Sequence, residues 1–262
     1  MSRDHHDQHR RWVSALAVLL FVLVWELVCQ LQLVEPILLS SPSRIAVAGY
    51  RLAGTGALTS DLWFTLQVFV TSLTIATILG VALGFLIGYS PWAYDALNPF
   101  IVTASSLPKI VLMPLIVLWL GIGFSANVFL ATLMGSFPII VSVHGGIRSL
   151  ERDFITLARA YGASRTQLLR AIVLPGITPF VLAGLRVAVS YAMVGALIAE
   201  FFASSQGLGY RMVLYMANFR VDEFFVCMVL VAAVTLVGGA GVHWLERRVE
   251  AWRPPAFQRP GM

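Results

Sequence analysis

The sequence predicts an all-α integral membrane protein with six membrane-spanning helices. Hydrophobic residues make up 58% of the chain and charged residues only 12%, whereas roughly a quarter of an ordinary soluble domain is charged. The mean hydropathy is +0.83, and the apolar residues form runs long enough to cross a bilayer, which takes about 20 residues. So few charges cannot cover the surface of a soluble protein of 262 residues. Lipid must therefore cover much of the protein surface.

The first predicted span runs from about Trp12 to Leu33. Its length and the lack of a small-residue cleavage site favour an uncleaved signal anchor over a secretory signal. A loop rich in Pro, Ser and Gly follows, in which residues Ser43 to Gly54 are predicted to lie at the membrane interface as an amphipathic helix. The second span lies in the uncharged stretch between Asp61 and Asp95, where glycine recurs every four residues and indicates close helix packing. These glycines are Gly80, Gly84 and Gly88.

The third span is predicted from Leu97 to Leu120 and contains three prolines. Proline inside a membrane helix frees backbone groups that only a packed interior or a watered cavity can satisfy. We therefore expect this span to face the centre of the protein. The remaining predicted spans run from Ala126 to Val143, from Pro175 to Phe202 and from Phe224 to Trp244.

The segment from Ser149 to Pro175 is charged and is predicted to form two short helices outside the membrane. Gly162 supplies a left-handed stop for the first helix. Ser164 and Gln167 have the spacing of a capping box that starts the second.

The distribution of basic residues predicts the orientation. The N-terminus, the loop after the second span, the charged segment with the adjacent Arg148, and the C-terminus together hold 12 of the 18 lysines and arginines. Loops on the opposite side hold only Arg44, Arg51, Arg211 and Arg220. Since cytoplasmic loops carry the excess, both termini and the charged helix pair are predicted to be cytoplasmic. The basic residues cluster at the ends of apolar runs, so topology explains them better than nucleic-acid binding.

A cytoplasmic helix pair between two spans can act as a lever for a soluble partner. In this segment the chain resembles the binding-protein-dependent ABC importer permeases, whose signature is Glu-Ala-Ala, three residues, Gly, nine residues and Ile-x-Leu-Pro. Gly162, Ile172, Leu174, Pro175 and Ala158 match the pattern, while Thr156 and Leu157 replace its Glu and first Ala. Further matching segments extend to the Gly207-Leu208-Gly209-Tyr210 run and resemble the branch that imports nitrate, sulfonates and taurine.

The resemblance implies a type I importer permease fold in the inner membrane of a bacterium. It implies a core over residues 58–246, preceded by an N-terminal tail, first span and interfacial segment (1–57) and followed by a cytoplasmic tail (247–262). It also implies a second copy of this subunit, two cytoplasmic ATPases that bind ATP and Mg, and an extracytoplasmic substrate-binding protein. The residues implied to couple to the ATPase are Thr156, Leu157, Ala158, Arg159, Tyr161, Gly162, Ala163 and Ser164.

The chain itself is predicted to bind no cofactor and to be a transport subunit, not an enzyme. It has no GxxxxGK[ST] motif, and its single lysine, Lys109, follows a proline. The chemical class of the solute stays open among a sulfonate, nitrate, taurine, an aromatic acid and a thiamine precursor.

Ionisable residues within the spans are candidates for the translocation pathway, because they are costly in a bilayer unless paired or hydrated. Lys109 could offer an anionic solute a counter-charge beside Pro108 and Pro114, or it could form a structural ion pair or reach the interface. Arg186 and Glu200 in the fifth span fit the same function, but a role in helix packing is the favoured interpretation.

Three other classes of protein remain as alternatives. An ion-coupled secondary transporter would need intramembrane carboxylates in corresponding halves, and Glu26 and Glu200 do not form such a pair. An intramembrane enzyme would need a Ser/His or metal-binding arrangement, and His144 and His243 have no such context. A membrane scaffold without transport is the third alternative.

Overall fold

The structure, a computed structural model, describes residues 2–56, 58–150, 158 and 160–250, and all regular elements in these ranges are helices. Four stretches are long and apolar enough to cross a membrane. Three of them are the helices α3, α6 and α10, and the fourth contains α8. The bounds are Thr59–Tyr89 for α3, Phe124–Ser149 for α6, Leu174–Ala203 for α8 and Val221–Glu250 for α10. The predicted second, fourth, fifth and sixth spans are therefore present.

The core consists of α3, α6 and α8, which pack closely through glycines. A Cβ atom on Gly80 would lie 2.7 Å from Cβ of Ile139, and one on Gly84 would lie 2.8 Å from Cβ of Val143. On α8, Gly195 would place a Cβ atom 2.8 Å from Cα of Ala131. The close packing predicted from the four-residue glycine spacing is thus confirmed. The contacts of successive glycines advance in the same chain direction on α3 and α6 and in opposite directions on α8 and α6. Helix α6 therefore runs parallel to α3 and antiparallel to α8.

We expect Gly84→Ala to lower the melting temperature of the purified protein in detergent by several degrees. The added methyl would lie 2.9 Å from the backbone oxygen of Ile140, which cannot move without shifting α6. Overpacking of this kind costs about 1–3 kcal/mol. The matched control is Gly145→Ala, because no described atom lies within 4 Å of a Cβ there. Equal melting temperatures for the two variants would contradict the prediction.

The predicted third span is broken in the structure. Helix α4, Pro91–Ser106, begins six residues before the predicted start, and a 3₁₀ turn, Lys109–Leu112, leads into helix α5, Met113–Leu120. The two halves meet at an angle of 94°. Pro108 has extended backbone angles, and it is the residue that separates the two halves. The prolines therefore do not kink one continuous helix. Because α3 and α6 run parallel, the two halves together carry the chain from one end of the bundle to the other, as a broken span does.

The predicted first span also differs from the observed helix. Helix α1 runs from Ser2 to Gln30 and ends three residues before the predicted end of the first span at Leu33; it is not among the candidate spans of the described residues. Helix α2, Pro42–Thr55, matches the predicted interfacial helix; Ser41 caps its start and Gly56 ends it with φ +65°. The described residues thus contain four candidate spans, or five if the bent pair counts as one.

Helix α2 is tied to its neighbours by charged side chains. Arg44 Nη2 donates to Asp222 Oδ1 at the start of α10 over 2.6 Å. Glu26 of α1 accepts hydrogen bonds from the backbone N–H and the hydroxyl of Ser43, at 3.0 and 2.7 Å. These bonds explain why Glu26 lies in an otherwise apolar run: it holds the first turn of α2.

Candidate functional site

The segment around Gly162 forms an exposed turn with the features of a helix stop. Gly162 has φ +80°, and the N–H of Ala163 donates to the carbonyl of Ala158 over 3.0 Å. This is the bond pattern of a Schellman motif, which ends a helix. The predicted stop at Gly162 is confirmed. Thr156, Leu157 and Arg159 lie outside the described residues.

The turn around Gly162 is exposed and its hydrogen bonds are local. Tyr161 is 85% exposed, and among the described residues no atom lies within 4 Å of where a Cβ on Gly162 would be. The capping box is confirmed, since the N–H of Ser164 donates to Gln167 Oε1 over 2.8 Å and the N–H of Gln167 to Ser164 Oγ over 3.3 Å. We call Ala158 and residues 160–164 the docking turn.

The second short helix is fused to the fifth span instead of standing alone. Helix α7, Arg165–Leu168, passes through a π-helical turn, Leu169–Val173, directly into α8. Val173 is buried in the core against Ile177, while Leu174 and Pro175 are exposed. A helix of 38 residues, Thr166–Ala203, thus runs from the docking turn to the other end of the core.

Lys109 lies at the bend between α4 and α5. Its Nζ donates to the carbonyl of Ser105 over 3.1 Å and lies 4.5 Å from the centre of the Phe137 ring. No carboxylate pairs with it among the described residues. Pro108 and Pro114 flank it, both exposed, at the starts of the two short helical segments.

Arg186 pairs with Glu246 of α10, and His243 also contacts this carboxylate. The pair joins α8 to α10, which agrees with the favoured helix-packing interpretation. Arg186 therefore does not share a site with Lys109, which contacts α4 and Phe137 of α6.

Glu200 is fully buried near the C-terminal end of α8 and holds the Gly207–Gly209 turn. Its Oε2 accepts hydrogen bonds from Thr65 Oγ1 at 3.0 Å and from the N–H of Gly209 at 2.8 Å. Gly207 has φ +104°, and a Cβ on it would lie 2.5 Å from the Glu200 carboxyl carbon. Only glycine therefore fits this turn.

Asp61, which the sequence placed at the end of a loop, belongs to the same cluster. It is buried in the first turn of α3, accepts the N–H of Gly207 at 2.9 Å and pairs with Arg211 Nε at 2.5 Å. The hydrogen bond to Asp61 raises the pKa of the Arg211 guanidinium above its ordinary value. Thr65 Oγ1 accepts the N–H of Leu208 at 2.9 Å. We call Asp61, Thr65, Glu200 and Arg211 the outer polar cluster.

The outer polar cluster positions helix α9, Leu208–Ala217. All three backbone N–H groups at its start find acceptors on α3 or α8. The spacing of Asp61 and Thr65, four residues apart at the start of a helix, is a signal in the sequence that could have indicated a shared face.

The fold and these two features define a polytopic membrane protein with an exposed docking turn at one end of a long helix and a buried polar cluster at the other. Residues 76–251 match the family model described as the binding-protein-dependent transport system inner membrane component. The chain belongs to this family and is a permease subunit of the ABC importers.

Known relatives cover most of the chain. It is 30% identical over 245 residues to the taurine transport system permease protein TauC of Escherichia coli, covering 92% of this chain and 88% of TauC. It is 29% identical to the formylaminopyrimidine transport permease protein ThiX of Halalkalibacterium halodurans, covering 91% and 94%. The putative aliphatic sulfonates transport permease protein SsuC of Escherichia coli is 30% identical, with 89% of each chain covered. These relatives are transport subunits, not enzymes.

The fold is that of a solved importer. An inward-facing structure of the MetNI methionine ABC transporter superposes with a TM-score of 0.64 and 18% identity, covering 72% of this chain and 94% of that chain. The predicted type I importer permease fold is thereby confirmed, although the number of spans in the described residues is lower than predicted.

Proposed function

We propose that this subunit forms the pathway of an ATP-driven importer for a small anionic solute of the sulfonate or taurine kind. The observation that carries the proposal is Lys109, the sole lysine of the sequence, at the bend between α4 and α5 without a carboxylate partner among the described residues. A cation held this way is available to an anion. Relatives named for taurine and aliphatic sulfonates, both of which carry a sulfonate group, support the same substrate class.

A second substrate class has support of similar weight from the relatives. Permeases named for formylaminopyrimidine and for riboflavin are each 29% identical to this chain. Neither name requires an anion, so Lys109 favours the sulfonate class. The thermal stability of the cognate binding protein, measured with taurine, an alkanesulfonate and formylaminopyrimidine, distinguishes the two classes.

The proposed assembly has two copies of this subunit, two cytoplasmic ATPases that bind Mg-ATP, and a binding protein on the outer side. The docking turn supports the ATPase contact, since Tyr161 is exposed and Gly162 leaves an open surface. We place both termini in the cytoplasm and α1 as the first of six spans, with the bent α4–α5 pair as the third. The excess of basic residues in both termini and in the segment from Ser149 to Pro175 supports this orientation, because cytoplasmic loops carry more lysine and arginine.

The direct test is uptake of radiolabelled taurine, as a probe, into proteoliposomes that contain the permease, its ATPase and its binding protein. We expect uptake to require Mg-ATP on the ATPase side of the membrane. Uptake should be absent from proteoliposomes whose permease variant no longer binds the ATPase. Uptake driven by a proton or sodium gradient without ATP would establish the secondary transporter instead.

We expect Lys109→Gln to raise the taurine concentration needed for half-maximal uptake by about tenfold, which corresponds to about 1.4 kcal/mol. The neutral amide keeps most of the side-chain length but removes the counter-charge. Lys109→Arg is the control, because it keeps the charge and should stay near the wild type. If both variants transport like the wild type, Lys109 does not contact the solute.

A further inference from the structure

Three core helices share a layer of buried polar side chains near their outer ends. Thr65 of α3, Asn127 of α6 and Glu200 of α8 are each 0% exposed. One helical turn further in, the same helix faces form an apolar layer. That apolar layer consists of Val68, Ala131 and Ala196. Given the parallel course of α3 and α6 and the antiparallel course of α8, Asn127 lies at the level of Thr65 and Glu200.

The hydrogen bonds of this polar layer are incomplete. Among the described residues, neither the nitrogen nor the oxygen of the Asn127 amide has a partner, and Glu200 Oε1 has none either. Leaving such a group unpaired in the interior is unfavourable, because the group has given up its hydrogen bonds to water without replacing them. The other oxygen of Glu200 is fully engaged by Thr65 and by the turn at Gly209. The unpaired donor and the unpaired acceptor thus lie on two adjacent helices, α6 and α8.

Glu200 also connects the two ends of the molecule. The helix that carries it extends from Thr166, next to the docking turn, through the π turn to Ala203. At 1.5 Å per residue, this helix is roughly 57 Å long. At its outer end the Glu200 carboxylate binds the first turn of α9. A movement of α8 relative to α6 must therefore change the surroundings of Glu200 and the position of α9.

We propose that Glu200 is a positioning residue that transmits the movement of α8 to α9, and that Asn127 is its alternative hydrogen-bond partner. In the present conformation Glu200 binds Thr65 and Gly209. In the second conformation the Asn127 amide donates to Glu200, and the bond to Gly209 opens. The inference rests on the proposed function, because the ATPase at the docking turn drives the movement.

The test uses Asn127→Leu, which removes the alternative partner and leaves every hydrogen bond of the present conformation in place. A spin label at Met216→Cys reports on α9, where the side chain is half exposed. The label is placed in a Cys29→Ala, Cys227→Ala background of the complete transporter in nanodiscs. Spectra are compared without nucleotide and with Mg-ATP and vanadate. A label at Trp63→Cys on α3 is the positional reference.

We expect the wild type to show a nucleotide-dependent change at position 216 and Asn127→Leu to lose it. The melting temperature of Asn127→Leu should equal or exceed that of the wild type, because an unpaired buried polar group is replaced by an apolar one. A merely structural role for Asn127 predicts the opposite, a lower melting temperature with the spectral change retained. Thr132→Val is the matched control, because it also replaces a buried polar side chain of α6 by an apolar one. It should keep the nucleotide-dependent spectral change.

The outcomes separate this inference from the proposed function. A retained spectral change in Asn127→Leu overturns the role of Asn127 and Glu200 and leaves the importer assignment intact. Loss of ATPase association in Asn127→Leu also overturns it, since the effect would then not be confined to the outer end. A wild type that neither binds an ATPase nor responds to Mg-ATP overturns both.

Discussion

Gly162→Val is expected to abolish ATP-dependent uptake while the ATPase subunits still hydrolyse ATP. Gly162 has φ +80° within the docking turn. A left-handed conformation costs an ordinary residue about 1–2 kcal/mol, and a β-branched residue more. The valine variant will therefore leave this conformation, and the turn will no longer present Tyr161 in the same place. Uptake of labelled taurine and phosphate release, measured in the same proteoliposomes, give the coupling ratio.

Gly162→Asn is the matched control for the valine variant. Asparagine adopts the left-handed region more readily than other non-glycine residues, and the surface above Gly162 has room for its side chain. It should retain most of the coupled uptake. Coupled uptake at the wild-type level in the valine variant would show that the turn does not transmit the movement of the ATPase to the membrane helices.

Asp61→Ala is expected to lower the stability of the protein by about 3 kcal/mol. The substitution removes an acceptor from the buried N–H of Gly207 and the charge partner of Arg211. Hydrogen bonds to charged groups contribute about 1.5–3 kcal/mol each, but Arg211 is one-third exposed and can regain water. Thermal unfolding in detergent measures the loss, and limited proteolysis should show new cleavage before α9.

Asp61→Asn separates the two contributions of this side chain. The amide keeps an acceptor for Gly207 but loses the charge that pairs with Arg211. Its melting temperature should lie between those of the wild type and the alanine variant. An alanine variant as stable as the wild type would mean that the outer polar cluster does not hold α9.

Periodic features of the sequence predicted the helical core correctly. The four-residue glycine spacing indicated the face of α3 that packs on α6, because glycine is the only residue that allows so close an approach. The break at Pro108 was missed, because hydropathy does not distinguish a straight span from two helices at 94°. The end of the first span was placed three residues too late for a related reason: hydropathy continues beyond Gln30, where the helix ends.

The docking turn was predictable because its signals are local. A glycine stop and a capping box depend on residues within one or two turns. The outer polar cluster depends on tertiary contacts: Asp61 and Gly207 are far apart in the chain and meet only in the fold. Asn127 carries no local signal at all, since its burial results from the packing of α6 between α3 and α8.

The π turn Leu169–Val173 sets the rotation of the docking turn about the helix axis relative to the buried face of α8. The face of α8 beyond Val173 is fixed by the core, and Tyr161 lies exposed on the other side of the π turn. A π turn holds more residues than an α turn, and one residue corresponds to roughly 100° of rotation about the axis. The widened turn thus rotates the docking turn about the helix axis relative to where an uninterrupted α-helix would place it.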